Sequence, residues 1–396
     1  MEILYISSLS SIRLINKIQK ESCSDPGFAV QKFNRFIALG LQHNGAKVKV
    51  YSKPPVGNIV GRTWVNESTE EEGGLIYNYI RYFNAPILKD ILTFLFTFWQ
   101  VFKFGLKNRK DKAVVCDVLA VSMNLGAVLA SKLTRQKIVG IVTDMPGLMV
   151  STSYSSDSFF KRIGTKISTS YLSFYSHYVF LTQQMNEVIN TYNHPYIIME
   201  ALCDKSFNII SNENIVKGSP KIIMYAGGLY EQYGLKKLVD AFRSIRRNDI
   251  KLILFGSGPY ATELQQIVEI DSRVEYRGVV TNEEVVRTEL EATLLVNPRP
   301  STEEFTKYSF PSKNIEYMVS GTPLLTTKLP GMPIDYYPYV YLFEDESEQG
   351  YATTLNRILS LPSENLISKG KNAMNYVLQN KNYVIQTSRI LNLISE

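Results

Sequence analysis

Lys221–Phe242, KIIMYAGGLYEQYGLKKLVDAF, decides how the rest of the chain is read. Lys221–Tyr225 is a short apolar run of strand type. The turn Ala226-Gly227-Gly228-Leu229 follows. Gly234 then introduces a helix whose Leu235, Leu238, Val239 and Phe242 share one face. The same unit recurs downstream. Lys251–Phe255 ends in Gly256-Ser257-Gly258-Pro259, Val274–Arg277 ends in Gly278, and Thr293–Val296 ends in Asn297-Pro298-Arg299-Pro300. Strands that alternate with helices and end in glycine or polar turns predict a parallel α/β sheet with its turns on one rim. Glycine there lets a diphosphate or a base approach the backbone closely.

The stretch after the last of these strands is Thr306–Pro323, TKYSFPSKNIEYMVSGTP. It reads as a loop, one short helix and a glycine stop at Gly321. Ser309 is the expected cap and Pro311 suits the first turn. Ile315, Met318 and Val319 fall on the core face, and Lys313, Glu316, Tyr317 and Ser320 on the other. A helix start beside a hydroxyl and a lysine suits phosphate oxygens. A carboxylate one turn on accepts hydrogen bonds from sugar hydroxyls. Together these features point to a nucleotide-sugar site.

The first half opens in the same style. Ile3–Ser7 reads as a strand, and a long loop through Ser24-Asp25-Pro26-Gly27 leads to a helix over Phe28–Gln42. Val48–Tyr51 is the next strand. The Asp25–Gly27 loop fits either an acceptor loop or a surface turn. Lys137–Val142 runs into Thr143-Asp144-Met145-Pro146-Gly147, which puts Asp144 at a strand's carboxyl end, where sites form in this architecture. It either orients an acceptor hydroxyl or caps the turn. Ser151–Ser158 reads as a loop and Phe159–Tyr175 as a basic helix; Phe207–Ser219 has linker character.

Ile87–Lys107 is the most lopsided helix. Ile87, Leu88, Ile91, Leu92, Phe94, Leu95, Phe98, Trp99, Val101 and Phe102 take about half the circumference, and Lys89, Asp90, Thr93, Thr97, Gln100, Lys103 and Lys107 most of the rest. With the basic run Asn108–Lys112, this fits a helix in a membrane interface. A helix packed on the sheet fits as well.

The 396-residue length favours two domains. We place them at 1–210 and 220–375, with 211–219 as linker and 376–396 as a final helix that returns to the first domain. The net charge of +6 suits an anionic ligand or membrane surface, and the dispersed basic residues argue against nucleic acid. Three scattered cysteines and three histidines form no metal pattern, so no metal site is expected. The N-terminus reads as a strand and not a signal peptide, and no apolar run reaches spanning length.

The motifs KIIMYAGGLYEQYGLKKLVDAF, LILFGSGP, VEYRG and SFPSKNIEYMVSGTPLLTTKLPGMP resemble the retaining GT-B glycosyltransferases of family four, in the branch of bacterial capsule, exopolysaccharide and O-antigen synthesis. IVTDMPG and YVFLTQQMN extend a weaker resemblance into the first half. The resemblance implies two Rossmann-like domains facing across a cleft, the C-terminal one for the donor and the N-terminal one for the acceptor. It implies Glu316 at the donor ribose, Lys313 with the helix start (Tyr308, Ser309, Phe310, Ser312) at the diphosphate, Gly227, Gly228 and Leu229 under the phosphates, Gly256 on the same rim, and Gly278, Val279 and Val280 near the base. Asp144 falls in the loop beside the reacting sugar.

The chain also departs from that pattern. Tyr308 stands where a first glutamate is usual, with Glu303 and Glu304 further upstream. Gly228 and Tyr233 stand where an arginine and a lysine are usual. Arg299 and Lys313, with Lys307, are the expected substitutes. Implied are a nucleotide diphosphate sugar as donor (a UDP-sugar being the commonest), a polyprenyl-linked or oligosaccharide acceptor, no cofactor, and a cytoplasmic protein held peripherally on the plasma membrane. A nucleotide-sugar epimerase of the same fold, and a non-catalytic partner that only binds donor, are the alternatives. Isomerisation of the donor alone marks the first, and donor binding without transfer marks the second.

Overall fold

The computed structural model describes residues 1–22, 27–56, 61–107, 111–145, 171–204 and 218–396. The expected Asp25–Pro26 loop, Asn108–Lys110, the Pro146–Gly147 turn, Ser151–Ser158, most of the basic helix and 207–217 lie outside them. The chain forms two compact units: Met1–Leu202 with Tyr383–Glu396, and Cys203–Asn382.

The first unit carries strands β1 Glu2–Ser7, β2 Lys47–Ser52, β3 Trp64–Val65, β4 Glu70–Glu72, β5 Leu75–Tyr79, β6 Tyr82–Phe83, β7 Lys112–Asp117, β8 Lys137–Val142, β9 His177–Phe180 and β10 Tyr196–Ile198. Eight form one sheet in the order β10-β9-β8-β7-β1-β2-β5-β4, while β3 and β6 pair separately. All neighbours are parallel except β4 on β5 at the edge. The strand order reverses beside β1, the point at which such sheets leave a crevice. Helices α1 Ile12–Ser22, α2 Phe28–His43, α3 Leu88–Leu106, α4 Val121–Thr134, α5 Gln183–Ile189 and, much later, Tyr383–Ser395 complete the unit.

Two expectations need correction here. The stretch after β1 is not a loop throughout, because α1 occupies it. Leu14, Ile15 and Ile18 bury one face. Ser11 Oγ accepts the Leu14 N–H at 3.0 Å, and the Glu72 carboxylate accepts the Ile12 N–H at 2.9 Å. The second correction concerns α3. Its buried residues are Thr93, Thr97, Val101 and Gly105, two of which stand on the face read as polar. Leu88, Ile91, Leu95, Phe96, Trp99 and Leu106 point outward instead, while Leu92, Phe94, Phe98 and Phe102 are half-buried. Small residues are needed because α4 comes very close: a Cβ at Gly126 would lie 2.5 Å from the Phe94 carbonyl oxygen. Thr93 Oγ1 and Ser122 Oγ meet at 2.8 Å across the same contact.

The last helix docks on α2. The Phe36 and Tyr383 rings stack at 5.4 Å, and Asn44 Nδ2 donates to the Val384 carbonyl at 2.8 Å. A side chain at Gly40 would collide with Thr387.

The second unit holds β11 Lys221–Ala226, β12 Ile250–Phe255, β13 Val274–Gly278, β14 Leu294–Asn297, β15 Leu324–Thr327 and β16 Tyr341–Phe343. They form an all-parallel sheet, β13-β12-β11-β14-β15-β16. Its order reverses between β11 and β14. The helices are α6 Leu235–Ser244, α7 Ala261–Ile270, α8 Asn282–Glu291, α9 Ser312–Val319, α10 Glu348–Leu359 and α11 Ser363–Asn380. The first unit's final helix, Tyr383–Ser395, is α12. The apolar face of α6 buries Leu235, Leu238, Val239 and Phe242 in the core, as its spacing predicts.

Candidate functional site

The carboxyl ends of β11, β12 and β13 are laced together. Gly227 N donates to the Phe255 carbonyl at 3.1 Å, and Gly256 N to the Gly278 carbonyl at 2.8 Å. Gly256 has φ 122°, and a Cβ there would collide with the Gly227 carbonyl; only glycine fits. Gly278 has open space where a Cβ would stand, and Val279 beyond it is exposed. Leu229 plays a different part. Its side chain is core, its N–H donates to the Ser257 carbonyl at 2.9 Å, and its carbonyl accepts from Tyr260 N at 3.1 Å. It shapes the turn from behind.

Helix α9 is tied to this rim from two sides. Tyr317 Oη accepts from Ala226 N at 2.7 Å and donates to the Ala226 carbonyl at 3.2 Å. Asn297 Nδ2, at the end of β14, donates to Asn314 Oδ1 at 2.7 Å. Ile315, Met318 and Val319 are buried as their spacing requires, but so are Tyr317 and Ser320, which the sequence placed on the open face. Tyr317 anchors the strand end, and Ser320 Oγ donates to the Tyr317 carbonyl at 2.7 Å. The expected cap is also corrected. Ser309 Oγ donates to the Phe305 carbonyl at 3.0 Å, and Pro311 occupies the N-cap position with no side-chain cap. Phe310 is buried against Tyr336, with ring centroids 5.1 Å apart. Ser312 opens the helix on the surface, and Tyr308 is partly buried beside it.

What remains on the open side of α9 is Lys313 and Glu316. Lys313 Nζ lies 2.7 Å from Glu316 Oε2, each side chain about one-third exposed (35%).

Arg299 lies in the turn after β14. Its guanidinium stands 4.6 Å from the Tyr233 ring centroid and 5.3 Å from that of Phe305. Its Nε is buried with no hydrogen-bond partner. Burial holds its pKa below the usual arginine value. Gly234, at φ 79°, lets the α6 turn press on the Pro298 carbonyl, where any Cβ would collide. That contact brings Tyr233, and with it Arg299, beside the Gly227-Gly228 turn: a Cβ at Gly228 would lie 3.3 Å from the Tyr233 ring. Tyr225 Oη donates to the Gly228 carbonyl at 3.0 Å on the same side. The second unit therefore brings a glycine turn, an enclosed cation and a helix start with a lysine–glutamate pair to one rim, at the switch point of its sheet. Of the upstream acids, Glu304 opens a short turn, Glu304–Lys307, and is exposed.

Asp144 belongs to the first unit, two residues past β8. Burial, then the Asp117 carboxylate, pushes its pKa up to about 6. Asp117 ends β7 and is fully buried; its carboxylate accepts from Asn34 Nδ2 at 2.9 Å and from Leu119 N at 3.1 Å. Asn34 in turn accepts from Tyr5 Oη. Neither Asp117 nor Asn34 stood out in the sequence; a lone aspartate at a strand's end was the available signal.

Among the described residues no three His, Cys, Asp or Glu side chains come together as a metal-binding group, and no helix is long and apolar enough to cross a membrane.

Residues 220–360 match the model of the family described as glycosyl transferases group 1. A search of curated protein sequences finds no match. Among solved structures, HepE of Anabaena in complex with UDP aligns with TM-score 0.62 at 13% identity, covering 100% of both chains. Sucrose-phosphate synthase from Thermosynechococcus elongatus aligns with TM-score 0.65 at 14% identity, covering 100% of this chain and 98% of that one. The lipopolysaccharide outer core galactosyltransferase WaaB, in its apo form, gives 0.63 at 13%, covering 100% and 99%. The fold is that of the GT-B proteins, with a Rossmann-like parallel sheet in each unit and the family match lying in the second.

Proposed function

We propose that the protein is a retaining glycosyltransferase that moves a hexose from a nucleotide diphosphate sugar to a lipid-linked or glycan hydroxyl, in the synthesis of a bacterial surface polysaccharide. The observation that carries this reading is Arg299: a cation enclosed by Tyr233 and Phe305, its Nε unpartnered, beside the Gly227-Gly228 turn. Arg299 is partly buried and forms no ion pair among the described residues, and a guanidinium whose Nε is buried without a hydrogen-bond partner is costly unless a ligand supplies a counter-charge. A departing diphosphate supplies it at the moment charge develops, where fixed donors act most strongly. Lys313 and the first turn of α9 add to that field. Glu316 takes the donor ribose hydroxyls.

In this reading Lys313 exchanges its Glu316 partner for phosphate oxygens when donor binds, and Asp144 serves the acceptor side. Cations and the helix end replace a metal ion. UDP is the first nucleotide to test, since the HepE structure was solved with it. The protein is cytoplasmic, with peripheral membrane contact through 87–112.

A thermal-shift panel of nucleotide sugars tests the donor half, because a ligand that binds only the folded state raises its stability. A UDP-sugar that raises the melting temperature of the wild type but not of Arg299→Ala is expected. No shift with any nucleotide sugar, or an unchanged shift in Arg299→Ala, overturns the assignment.

A further inference from the structure

Helix α3 is built inside out for a protein in water. Its packed face is Thr93, Thr97, Val101 and Gly105, one residue per turn and all small or medium-sized. Opposite them stand Leu88, Ile91, Leu95, Trp99 and Leu106, between 42% and 66% exposed. On neighbouring α4, Leu129 and Leu133 are exposed as well. Small residues facing a partner helix with large apolar ones facing outward is the pattern of helices whose surroundings are lipid.

Charge selects the occupant. Lys103 Nζ lies 5.1 Å from the Trp99 ring centroid, and both Lys103 and Lys107 are exposed beside the stripe. The one acid in α3 is Asp90, at the other end, 3.6 Å from Lys53. A second copy of the stripe offers the basic end no counter-charge, whereas lipid phosphates do. An indole with a lysine over it suits the headgroup level of a bilayer.

The stripe also has a direction. Lys53, just past the carboxyl end of β2, pairs with Asp90 in the first turn of α3, and Lys112, at the start of β7, lies 4.7 Å from the Phe104 ring centroid near its last. The helix therefore runs back along the sheet. Its Leu88 end lies at the strand-end rim that also carries Asp144.

We infer that the outward stripe of α3 seats the first unit on an anionic bilayer surface, with the rim that carries Asp144 at the lipid boundary. A lipid-linked acceptor then reaches that rim by lateral diffusion. The acceptor role rests on the transfer reading above; the lipid seat does not.

Trp64→Phe leaves Trp99 as the sole tryptophan. Its emission is expected to shift to the blue with phosphatidylcholine–phosphatidylglycerol vesicles. Co-sedimentation with them should fall at least tenfold in Leu95→Glu/Leu106→Glu. Lys103→Glu/Lys107→Glu should lose the salt-sensitive part of binding. Both double variants should melt as the wild type does and keep any nucleotide-sugar shift. An unshifted Trp99, or Leu95→Glu/Leu106→Glu binding vesicles like the wild type, overturns the seat. So does a dimer, seen by light scattering, that this variant dissociates while vesicles bind neither form. Vesicle binding with no nucleotide shift overturns the donor reading alone.

Discussion

Tyr317 holds Ala226 by both of its backbone groups, at 2.7 Å to the N–H and 3.2 Å to the carbonyl. One phenol thus fixes helix α9 to the strand end from which the Gly227-Gly228 turn springs. Tyr317→Phe leaves a buried N–H without its acceptor. The expected cost is about 1–3 kcal/mol, read as a lower melting temperature. Donor binding should weaken with it. A variant as stable as the wild type would show that the bond is dispensable.

The Lys313–Glu316 pair behaves differently. Both side chains are partly exposed, so the pair adds at most roughly 1 kcal/mol to stability. Lys313→Ala and Glu316→Ala should melt close to the wild type yet lose at least about a hundredfold in transfer, measured with radiolabelled donor. Full activity in both would remove these residues from the machinery.

Arg299→Met exchanges a desolvated cation for an apolar chain in the same aromatic box. Melting temperature should hold or rise, while donor affinity should drop at least about tenfold, or 1.4 kcal/mol. A thermal melt checks the first half and calorimetric titration with UDP-sugar the second.

Asp144 makes stability depend on pH. Its ordinary pKa of 3.8 rises to about 6 in the folded unit, so the native state holds the proton more tightly than the unfolded one. Stability then falls as pH rises from about 4 to about 6, and the full cost persists above that. Asp144→Asn should stabilise the protein at pH 8 by up to roughly 3 kcal/mol and give no gain at pH 3.5. Denaturant unfolding at the two pH values decides the point.

The α3–α4 contact sets the last prediction. Gly126→Val places atoms against the Phe94 carbonyl and the Phe98 N–H, 2.5 and 3.0 Å from the new Cβ. Both are backbone, and neither can move aside cheaply. A loss of about 2–3 kcal/mol is expected, whereas Leu129→Ala on the exposed side should change little.

Strand runs and glycine turns made much of the parallel sheets legible, because in β1, β8, β11, β12 and β14 an apolar run ends at a polar or glycine turn; β5, β15 and β16 were not anticipated. Apolar spacing in α3 did not find the packed face: Thr93 and Thr97 come from the set read as polar, Val101 from the apolar set and Gly105 from neither. That face is set by Gly126 and Thr134, on another helix. Helix α1 was read as a loop although Ser11 caps it locally and Leu14, Ile15 and Ile18 stand at helical spacing; only the added bond to Glu72, some 60 residues downstream, had no local signal. Within the candidate site, Lys313, Glu316 and Arg299 were visible as charges. Tyr317 and Asn314 were not, since their roles are bonds to Ala226 and Asn297, which no local pattern announces.

Helix α12 carries residues 383–395 back to a unit otherwise complete by 202. During synthesis, the surface of α2 around Phe36 and Gly40 must therefore wait uncovered while the ribosome makes the whole of the second unit. The first unit is completed last although most of it is translated first. A nascent chain stalled anywhere before 383 would present that bare patch to chaperones.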